Sequence, residues 1–384
     1  MRVGFGTTGL AHGLARGGVD GIGSYTRELG GALLSTGDMA LIPAGFQAYA
    51  TAETLPGAQM PADLGRFSTM ALLGAFTPLA CQAERALQDR IDLFHATDHL
   101  IPKFSRIPVV ATLMDAIPLS NPEWVRTRLI SVKNWLWRRS GHWADHVITI
   151  SEYSKQEIIR YFGIDADKIS VTPLGVHPRF FESFDAETKA EVLERLGLPE
   201  RFFLFVGTLQ PRKNLERLLD AHARLPARLR ADFPLVIVGR AGWKCEELVA
   251  RVEALRASGE ARWMQYLPDV EARVLMQTAF ALVFPSLSEG FGLPVVEAFA
   301  SGLPVIASNT TSLPEVAGEA AILVNPEDAD EMAQGMRQLI DNPGLVEQLR
   351  VAGMARAREF SWQACAEKTM AVYRTVLGAS HQGR

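Results

Sequence analysis

The sequence predicts an α/β protein with two doubly wound parallel-sheet domains, and three observations support this prediction. Short apolar runs bounded by turn residues alternate with longer segments of helical spacing, which is typical of parallel sheets covered on both faces. The 384 residues suffice for two domains of ordinary size. With 48% apolar and 21% charged residues, each half can bury a substantial core, which excludes a largely disordered chain.

The predicted strands form two groups of six. They lie near residues 2–6, 39–43, 91–95, 108–114, 146–150 and 169–172, and near residues 202–207, 234–239, 262–267, 280–285, 304–308 and 321–324. The segment 172–184 contains two prolines and one glycine without helical periodicity, so it is the predicted linker. We therefore expect an N-terminal domain over 1–178, a C-terminal domain over 186–360, and a helix within 361–384 that packs back toward the N-terminal domain.

Charge and cysteine content narrow the classes of function. The 39 basic and 43 acidic residues give a net charge of −4 without any block of like charge, which argues against nucleic acid as the main ligand. Cys81, Cys245 and Cys365 are far apart and odd in number, so neither a disulfide framework nor a metal site is expected. The chain opens on a strand pattern and has no membrane-length apolar run, which predicts a cytoplasmic protein.

The strongest motif is SLSEGFGLPVVEAFASGLPVIAS, residues 286–308. Glu289 follows a predicted buried strand, and the glycines after it let the backbone approach a ligand closely. The amides of Gly290, Phe291, Gly292 and Leu293 then open a helix, where an anion such as a pyrophosphate binds favourably. Glu297, inside that helix, could accept both hydroxyls of a ribose. The alternative is that both glutamates are solvated charges and the glycines only shape a turn.

This segment also resembles a known family. EGFGLPVVEA followed by SGLPVIAS is similar to the retaining glycosyltransferases of family 4, which have the GT-B fold of two Rossmann-like domains facing an interdomain cleft. The resemblance implies that Glu289 binds the donor sugar and that Glu297 binds the ribose of the nucleotide. It also implies a nucleotide-sugar donor as substrate, with no separate cofactor.

A second segment, VGTLQPRKNLERLLDA at residues 206–221, supports the resemblance. Arg212 and Lys213 lie in its loop between a strand and a helix, where two cations would neutralise a departing diphosphate. Family members use such a pair for that purpose, so we expect the same role here and no metal ion. The alternative is a basic pair that caps an unrelated helix.

The glycine-rich segment GGVDGIGSYTREL at residues 17–29 follows the first predicted strand. It resembles the DGIGRYTREL form of bacterial polysaccharide glycosyltransferases, which places Gly21, Ile22 and Gly23 near the donor phosphates. That subgroup favours GDP-mannose as donor and a lipid-linked oligosaccharide as acceptor. The glycine spacing lacks the dinucleotide fingerprint and its acidic ribose ligand, which weakens the alternative of a dinucleotide oxidoreductase.

One segment departs from the family pattern. Where the family has a histidine facing the donor sugar, the sequence TLMDAIP has Met114, whose thioether donates no hydrogen bond. Asp115, the next residue, is kept as a candidate catalytic residue. His95 and His99 are candidate contacts for acceptor or sugar, and the alternative for each is a packed or solvated side chain.

Residues 123–142 combine cations with aromatic side chains. The cations are Arg126, Arg128, Lys133, Arg138 and Arg139, and the tryptophans of this stretch are Trp124, Trp135, Trp137 and the adjoining Trp143. This composition resembles a face that contacts an anionic membrane, which would place the protein peripherally on the inner membrane surface. The alternative is that the tryptophans belong to the core.

Together these observations predict a retaining, metal-independent glycosyltransferase that moves a hexose to a lipid-linked or oligosaccharide acceptor in surface polysaccharide synthesis. A nucleotide-sugar epimerase of the same architecture is the nearest alternative, and it would convert donor without acceptor. A non-catalytic sugar-binding protein is a further alternative, against which the clustered charges argue.

Overall fold

The computed structural model of the protein describes residues 1–15, 19–46, 55–76, 82–124 and 130–382. The chain divides into two compact units, of which the first comprises Met1–Gly175 with Ser361–Arg384 and the second comprises Val176–Phe360. The step from one unit to the next, between Gly175 and Val176, falls within the predicted linker. Cys245 and Cys365 are buried free thiols, and Cys81 lies outside the described residues.

A parallel sheet forms the centre of the first unit, with seven strands among the described residues in the order β3-β2-β1-β4-β5-β6-β7. The strands are β1 Arg2–Gly6, β2 Ala40–Gly45, β3 Ala62–Asp63, β4 Leu93–Ala96, β5 Val109–Thr112, β6 His146–Thr149 and β7 Ile169–Val171. Almost every residue in β1, β2, β4, β5 and β6 is buried, as expected where helices cover both faces of a sheet.

The helices of the first unit along residues 1–175 are α1 Thr8–Ala15, α2 Gly21–Ser35, α3 Phe67–Phe76, α4 Gln82–Leu87, α5 Ile117–Ser120, α6 Ile130–Gly141 and α7 Glu152–Phe162. Their ends follow ordinary capping rules. Ser151 accepts a hydrogen bond from the amide of Ser154 at the start of α7, and Gly163 ends that helix in the left-handed conformation.

The second unit has its own parallel sheet, with six strands in the order β10-β9-β8-β11-β12-β13 among the described residues. The strands are β8 Phe203–Val206, β9 Leu235–Val238, β10 Ala261–Met264, β11 Ala281–Phe284, β12 Val305–Ser308 and β13 Ile322–Val324. The helices are α8 Ala186–Leu196, α9 Leu215–Ala223, α10 Ala227–Asp232, α11 Glu246–Ala257, α12 Asp269–Thr278, α13 Leu293–Ala300, α14 Leu313–Ala317, α15 Ala329–Asp341 and α16 Pro343–Ala357.

The last helix, α17 at Trp362–Gln382, belongs to the first unit and packs against α2. The chain enters it close to Gly175, where a Cβ atom would lie only 2.1 Å from the backbone nitrogen of Trp362. Only glycine fits this approach, which explains the residue at the exit from the first unit.

All twelve predicted strands are present among the described residues, with ends that differ from the predictions by at most three positions. The sequence reasoning missed β3, which pairs Ala62 and Asp63 with Ala44 and Gly45. A strand of two residues is too short to show the alternation or the apolar run that identifies strands in a sequence.

Candidate active site

Three charged residues predicted in the C-terminal half lie beyond the carboxyl ends of two central strands of the second sheet. Arg212 and Lys213 follow β8, Glu289 follows β11, and these two strands are neighbours. Strand order reverses at this pair, because β9 continues from β8 in one direction and β12 continues from β11 in the other. Ligands of open α/β sheets bind at the carboxyl ends of the strands where the order reverses. The fold therefore places the predicted cations and carboxylate at the favoured position for a ligand.

Arg212, Lys213 and Glu289 are in direct contact. The Nη1 atom of Arg212 donates to Oε2 of Glu289 at 2.8 Å, and Nζ of Lys213 donates to Oε1 of Glu289 at 2.6 Å. The side chains are only 19%, 11% and 10% exposed, respectively. The sequence predicted the three residues separately, and the structure joins them into one cluster with little exposure, which we call the charge triad.

The electrostatics of the charge triad keep Glu289 ionised. Burial alone raises the pKa of the Glu289 carboxyl, but the charges of Lys213 and Arg212 and the hydrogen bond from Lys213 hold it at about 2. Burial lowers the pKa of Lys213, and the charge of Glu289 opposes that shift. The carboxylate and the two cations therefore depend on one another for their charged states.

The sequence reasoning missed three residues that support the charge triad: Asn214 joins its two loops, and Thr311 and Ser312 bind the Glu289 loop to the loop after β12. Asn214, in a left-handed conformation with φ of 58°, donates to the carbonyl oxygens of Pro285 at 3.0 Å and Pro326 at 2.7 Å. Thr311 accepts a hydrogen bond from the amide of Glu289, and Ser312 donates to the Glu289 carbonyl oxygen. The asparagine directly after the basic pair could have indicated a tight turn at this position, because asparagine tolerates the left-handed conformation of such turns.

The loop from Gly290 to Gly292 leads directly into α13. Gly290 and Phe291 are buried, and Gly292 has φ of 107°, a conformation that favours glycine. Leu293 is the first residue of α13, so the positive end of this eight-residue helix begins directly after the charge triad in sequence. Glu297 lies one turn further along α13 and is half-buried.

Gly21, Ile22 and Gly23 form the first turn of α2 in the first unit. Asp20 caps this helix by accepting a hydrogen bond from the Gly23 amide at 2.8 Å. The preceding residues 16–18, which include part of the predicted glycine-rich loop, lie outside the described residues. The three residues open a helix, but α1 lies between β1 and this helix, so the segment does not follow the first strand directly as predicted.

Asp115 lies in the loop after β5, where its carboxylate accepts a hydrogen bond from the Ile117 amide at 3.0 Å. Its charge contributes to the raised pKa values of Tyr153 and Glu157 on α7, for which burial is the main cause. Asp115 therefore lies at the carboxyl end of the first sheet with a second acidic group nearby. Met114, which occupies the position of the family histidine, is buried.

His95 is fully buried within β4, and the structure favours the alternative of a packed side chain. Its Nδ1 atom lies 2.6 Å from the hydroxyl of Tyr373 on α17, and its Nε2 atom lies 2.8 Å from the hydroxyl of Thr112 on β5. The Thr112 hydroxyl also lies 2.8 Å from that of Tyr25 on α2. Burial lowers the pKa of His95 to about 3, so this hydrogen-bonded chain is neutral. With both ring nitrogens engaged, His95 offers no group to a sugar.

His99 follows β4 and is half-buried. Its ring packs edge-on against Trp137 with the ring centroids 4.8 Å apart. Its Nδ1 atom is buried, and within the described part of the chain it has no hydrogen-bond partner.

The tryptophan-rich stretch is divided between core and surface. Trp137 and Trp143 pack against the apolar core of the first unit, whereas Trp135 on α6 is 47% exposed. The guanidinium of Arg139 lies 6.0 Å from the centroid of the Trp135 ring. The predicted cations Arg126 and Arg128 lie outside the described residues. Within residues 1–15, 19–46, 55–76, 82–124 and 130–382, no helix is long and apolar enough to span a membrane.

Sequence comparisons identify the family of the chain. The sequence model of Glycosyltransferase Family 4 matches residues 19–180, and that of Glycosyl transferases group 1 matches residues 189–356. The O-antigen chain mannosyltransferase B of Escherichia coli is 31% identical over 292 residues, which are 75% of this chain and 76% of that protein. The serotype-specific mannosyltransferase WbdA of Escherichia coli is 30% identical over 244 residues, which are 62% of this chain and 30% of that protein.

Solved structures share the fold. Sucrose-phosphate synthase from Thermosynechococcus elongatus superposes with a TM-score of 0.76 at 20% identity, over 99% of this chain and 100% of that one. Anabaena HepE in complex with UDP-glucose gives a TM-score of 0.73 at 17% identity, over 98% of this chain and 100% of that one. Two parallel sheets flanked by helices, with the charge triad at a strand-order reversal, define a glycosyltransferase of the GT-B fold. The chain belongs to glycosyltransferase family 4, and within that family it is similar to mannosyltransferases.

Proposed function

We propose that the protein transfers a mannosyl group from GDP-mannose to a lipid-linked or oligosaccharide acceptor in surface polysaccharide synthesis. In this proposal the anomeric configuration is retained and no metal ion takes part. The observation that carries it is the charge triad, since two partly buried cations at a strand-order reversal suit a diphosphate leaving group. The names of the mannosyltransferase relatives support mannose as the sugar and a polysaccharide as the product.

The donor is held by residues of the second unit. Arg212 and Lys213, with the amides from Gly290 to Leu293, bind its diphosphate. Glu289 accepts a hydrogen bond from a hydroxyl of the donor sugar, because each carboxylate oxygen has a further lone pair beyond the one that its cation uses. Glu297 binds the ribose hydroxyls.

The reaction breaks the bond between the anomeric carbon and the diphosphate oxygen. The acceptor hydroxyl oxygen forms its new bond on the same face of the sugar, and its proton passes to an oxygen of the departing diphosphate. Negative charge grows on the diphosphate as its bond breaks, so the cations stabilise the transition state more than the bound donor. The neighbouring cations therefore supply the charge that a metal ion would otherwise provide.

The acceptor is assigned to the first unit. Asp115 and His99 follow β5 and β4, which are neighbouring strands of its sheet, so both lie beyond the carboxyl ends of these strands. Helix α6 presents exposed Val132 and Trp135 together with exposed Arg138 and Arg139, a combination suited to the headgroup region of an anionic membrane. We assign the protein on this basis to the inner face of the membrane, where a lipid-linked acceptor is available.

Thermal shift with GDP, UDP and ADP sugars tests the donor, because a ligand that binds only the folded protein raises its melting temperature. GDP-mannose should give the largest shift, and incubation with acceptor should give an α-linked product with release of GDP. A different preferred nucleotide would replace the proposed donor. Conversion of the donor sugar in the absence of acceptor would show an epimerase instead.

A further inference from the structure

Glu289 holds both cations of the charge triad, and this has a consequence for the release of product. We propose that Glu289 is a built-in counter-anion that weakens the binding of the diphosphate product to Arg212 and Lys213 and so speeds its departure. This inference rests on the proposed function, because it assumes that these cations bind the diphosphate. It adds a second role to a residue assigned so far only to the donor sugar.

The hydrogen bonds show that Glu289 acts on both cations at once. One carboxylate oxygen contacts Lys213 at 2.6 Å and the other contacts Arg212 at 2.8 Å. The formal charge of the charge triad is therefore +1, whereas the two cations alone would carry +2. A diphosphate at this position meets about half of the positive charge that the basic pair suggests.

The counter-anion is fixed in place. The amide of Glu289 donates to Thr311 at 3.2 Å, and its carbonyl oxygen accepts from Ser312 at 2.9 Å. Arg212 is also bound to the opposite loop, because its Nη1 donates to the Ser288 carbonyl oxygen at 2.6 Å and its own carbonyl oxygen accepts from the Leu287 amide at 2.9 Å. The backbone that carries the carboxylate is therefore hydrogen-bonded both to Arg212 and to the loop that follows β12.

Burial makes this negative charge effective. The three side chains are at most 19% exposed, so water and salt screen their interactions less than those of a surface ion pair. The free nucleoside diphosphate carries more negative charge than the diphosphate of the intact donor. The repulsion from Glu289 is therefore greater for the product than for the substrate.

Inorganic pyrophosphate is the probe that isolates this effect, because it contains neither sugar, ribose nor base. We expect calorimetric titration to show that Glu289→Gln binds pyrophosphate roughly tenfold more tightly than wild type at 0.15 M salt, since one nearby negative charge is removed. Glu297→Gln is the matched control, because it removes the same charge at the residue assigned to the ribose. Its affinity for pyrophosphate should remain close to that of wild type.

A second pair of variants guards against misfolding, because Glu289→Gln removes the carboxylate that pairs with both cations. The double variant Lys213→Gln/Glu289→Gln has one cation and no adjacent repulsion. It should bind pyrophosphate more tightly than Lys213→Gln alone, by a similar factor.

The outcomes separate the two assignments. If Arg212→Ala and Lys213→Ala bind pyrophosphate as wild type does, the diphosphate site itself is wrong. If those variants lose affinity but Glu289→Gln binds no more tightly in either background, the diphosphate site stands and the counter-anion role is overturned. Equal strengthening by Glu297→Gln would also overturn it, since the effect would then be one of net charge.

Discussion

Glu289 and His95 are buried titratable groups near the carboxyl ends of the strands in the second and first sheets, respectively. Glu289 is ionised at neutral pH, whereas His95 is uncharged. Glu289 follows β11 and is 8% exposed, while His95 lies in β4 and is 0% exposed. Burial by itself favours the neutral form of both groups. Glu289 is nevertheless charged, with a pKa of about 2, because Lys213 and Arg212 face it. His95 is neutral, with a pKa of about 3, because its partners Tyr373 and Thr112 are hydroxyl groups.

The difference shows that a position at a strand end does not by itself determine whether a buried side chain is charged. The charge of the neighbouring groups decides whether a buried group remains ionised and can interact electrostatically with a ligand. In the second unit the neighbours are the cations Arg212 and Lys213, so the carboxylate of Glu289 stays negatively charged at the proposed diphosphate site. In the first unit the hydrogen-bond partners are neutral, so the buried histidine is uncharged and joins β4 to β5 and α17.

We expect the largest effect when Glu289, the charged residue of this comparison, is replaced. Glu289→Ala should lower turnover more than ~100-fold while the protein still melts cooperatively, because the carboxylate that orients the donor is gone. Turnover with the preferred nucleotide sugar and thermal melting are the two measurements. Glu347→Ala is the control, since Glu347 pairs with Arg350 on the exposed side of α16. A folded Glu289→Ala enzyme with normal turnover would contradict the assignment.

The cations are the next test. Arg212→Ala and Lys213→Ala should each reduce turnover by on the order of 100-fold, about 3 kcal/mol, the effect of removing one group that stabilises a developing anion. EDTA should leave the wild-type rate unchanged. Arg228→Ala serves as control because the Arg228 side chain is 91% exposed. Strict dependence on an added divalent ion would instead show that a metal assists departure of the diphosphate.

For His95, the uncharged residue of this comparison, the test measures the free energy of unfolding rather than turnover. The folded-state pKa of His95, about 3, lies below the ordinary value of 6.5, so the unfolded chain binds a proton first as pH falls. The contribution of His95 to stability is therefore lost between pH 6.5 and pH 3, by about 1.4 kcal/mol per pH unit. His95→Gln lacks this titration, although it should lose about 1–3 kcal/mol at neutral pH by leaving buried hydroxyls poorly paired.

Urea unfolding at several pH values checks this prediction. The difference in unfolding free energy between wild type and His95→Gln should shrink as pH falls below 6.5. Turnover of the folded variant at neutral pH should stay near that of wild type. If the unfolding free energies of wild type and His95→Gln change with pH in parallel, the comparison with Glu289 is wrong. A stable His95→Gln protein that transfers no sugar would also contradict it.

The smallest expected effect concerns the surface of the first unit. Reversing Arg138 and Arg139 to Glu should reduce pelleting with anionic vesicles, because each cation near such a surface contributes roughly 1 kcal/mol. Donor affinity in solution should not change, and Arg228→Glu on the second unit should leave vesicle binding unchanged. Failure of the wild-type protein to pellet at low salt would remove α6 as a membrane contact.

The sequence predicted the elements better than the contacts between them. Apolar runs located the strands because a strand covered on both faces requires them. The partners of His95 and Glu289 followed no local pattern, since Tyr373 is 278 residues from His95 and Arg212 is 77 residues from Glu289. Such contacts depend on strand order and on the path of the last helix. The motifs therefore predicted which residues form the charge triad, whereas their mutual ion pairs required the three-dimensional fold.

The place of α17 in the first unit also affects how the chain folds during synthesis. A ribosome adding about 5–20 residues per second needs roughly 15–55 seconds to advance from His95 to Tyr373. During that time the nascent chain has β4 and β5, but their buried polar groups lack the hydroxyl that α17 supplies. The second unit, Val176–Phe360, has all its own residues before then. The unit that is synthesised second is therefore the first to be completed.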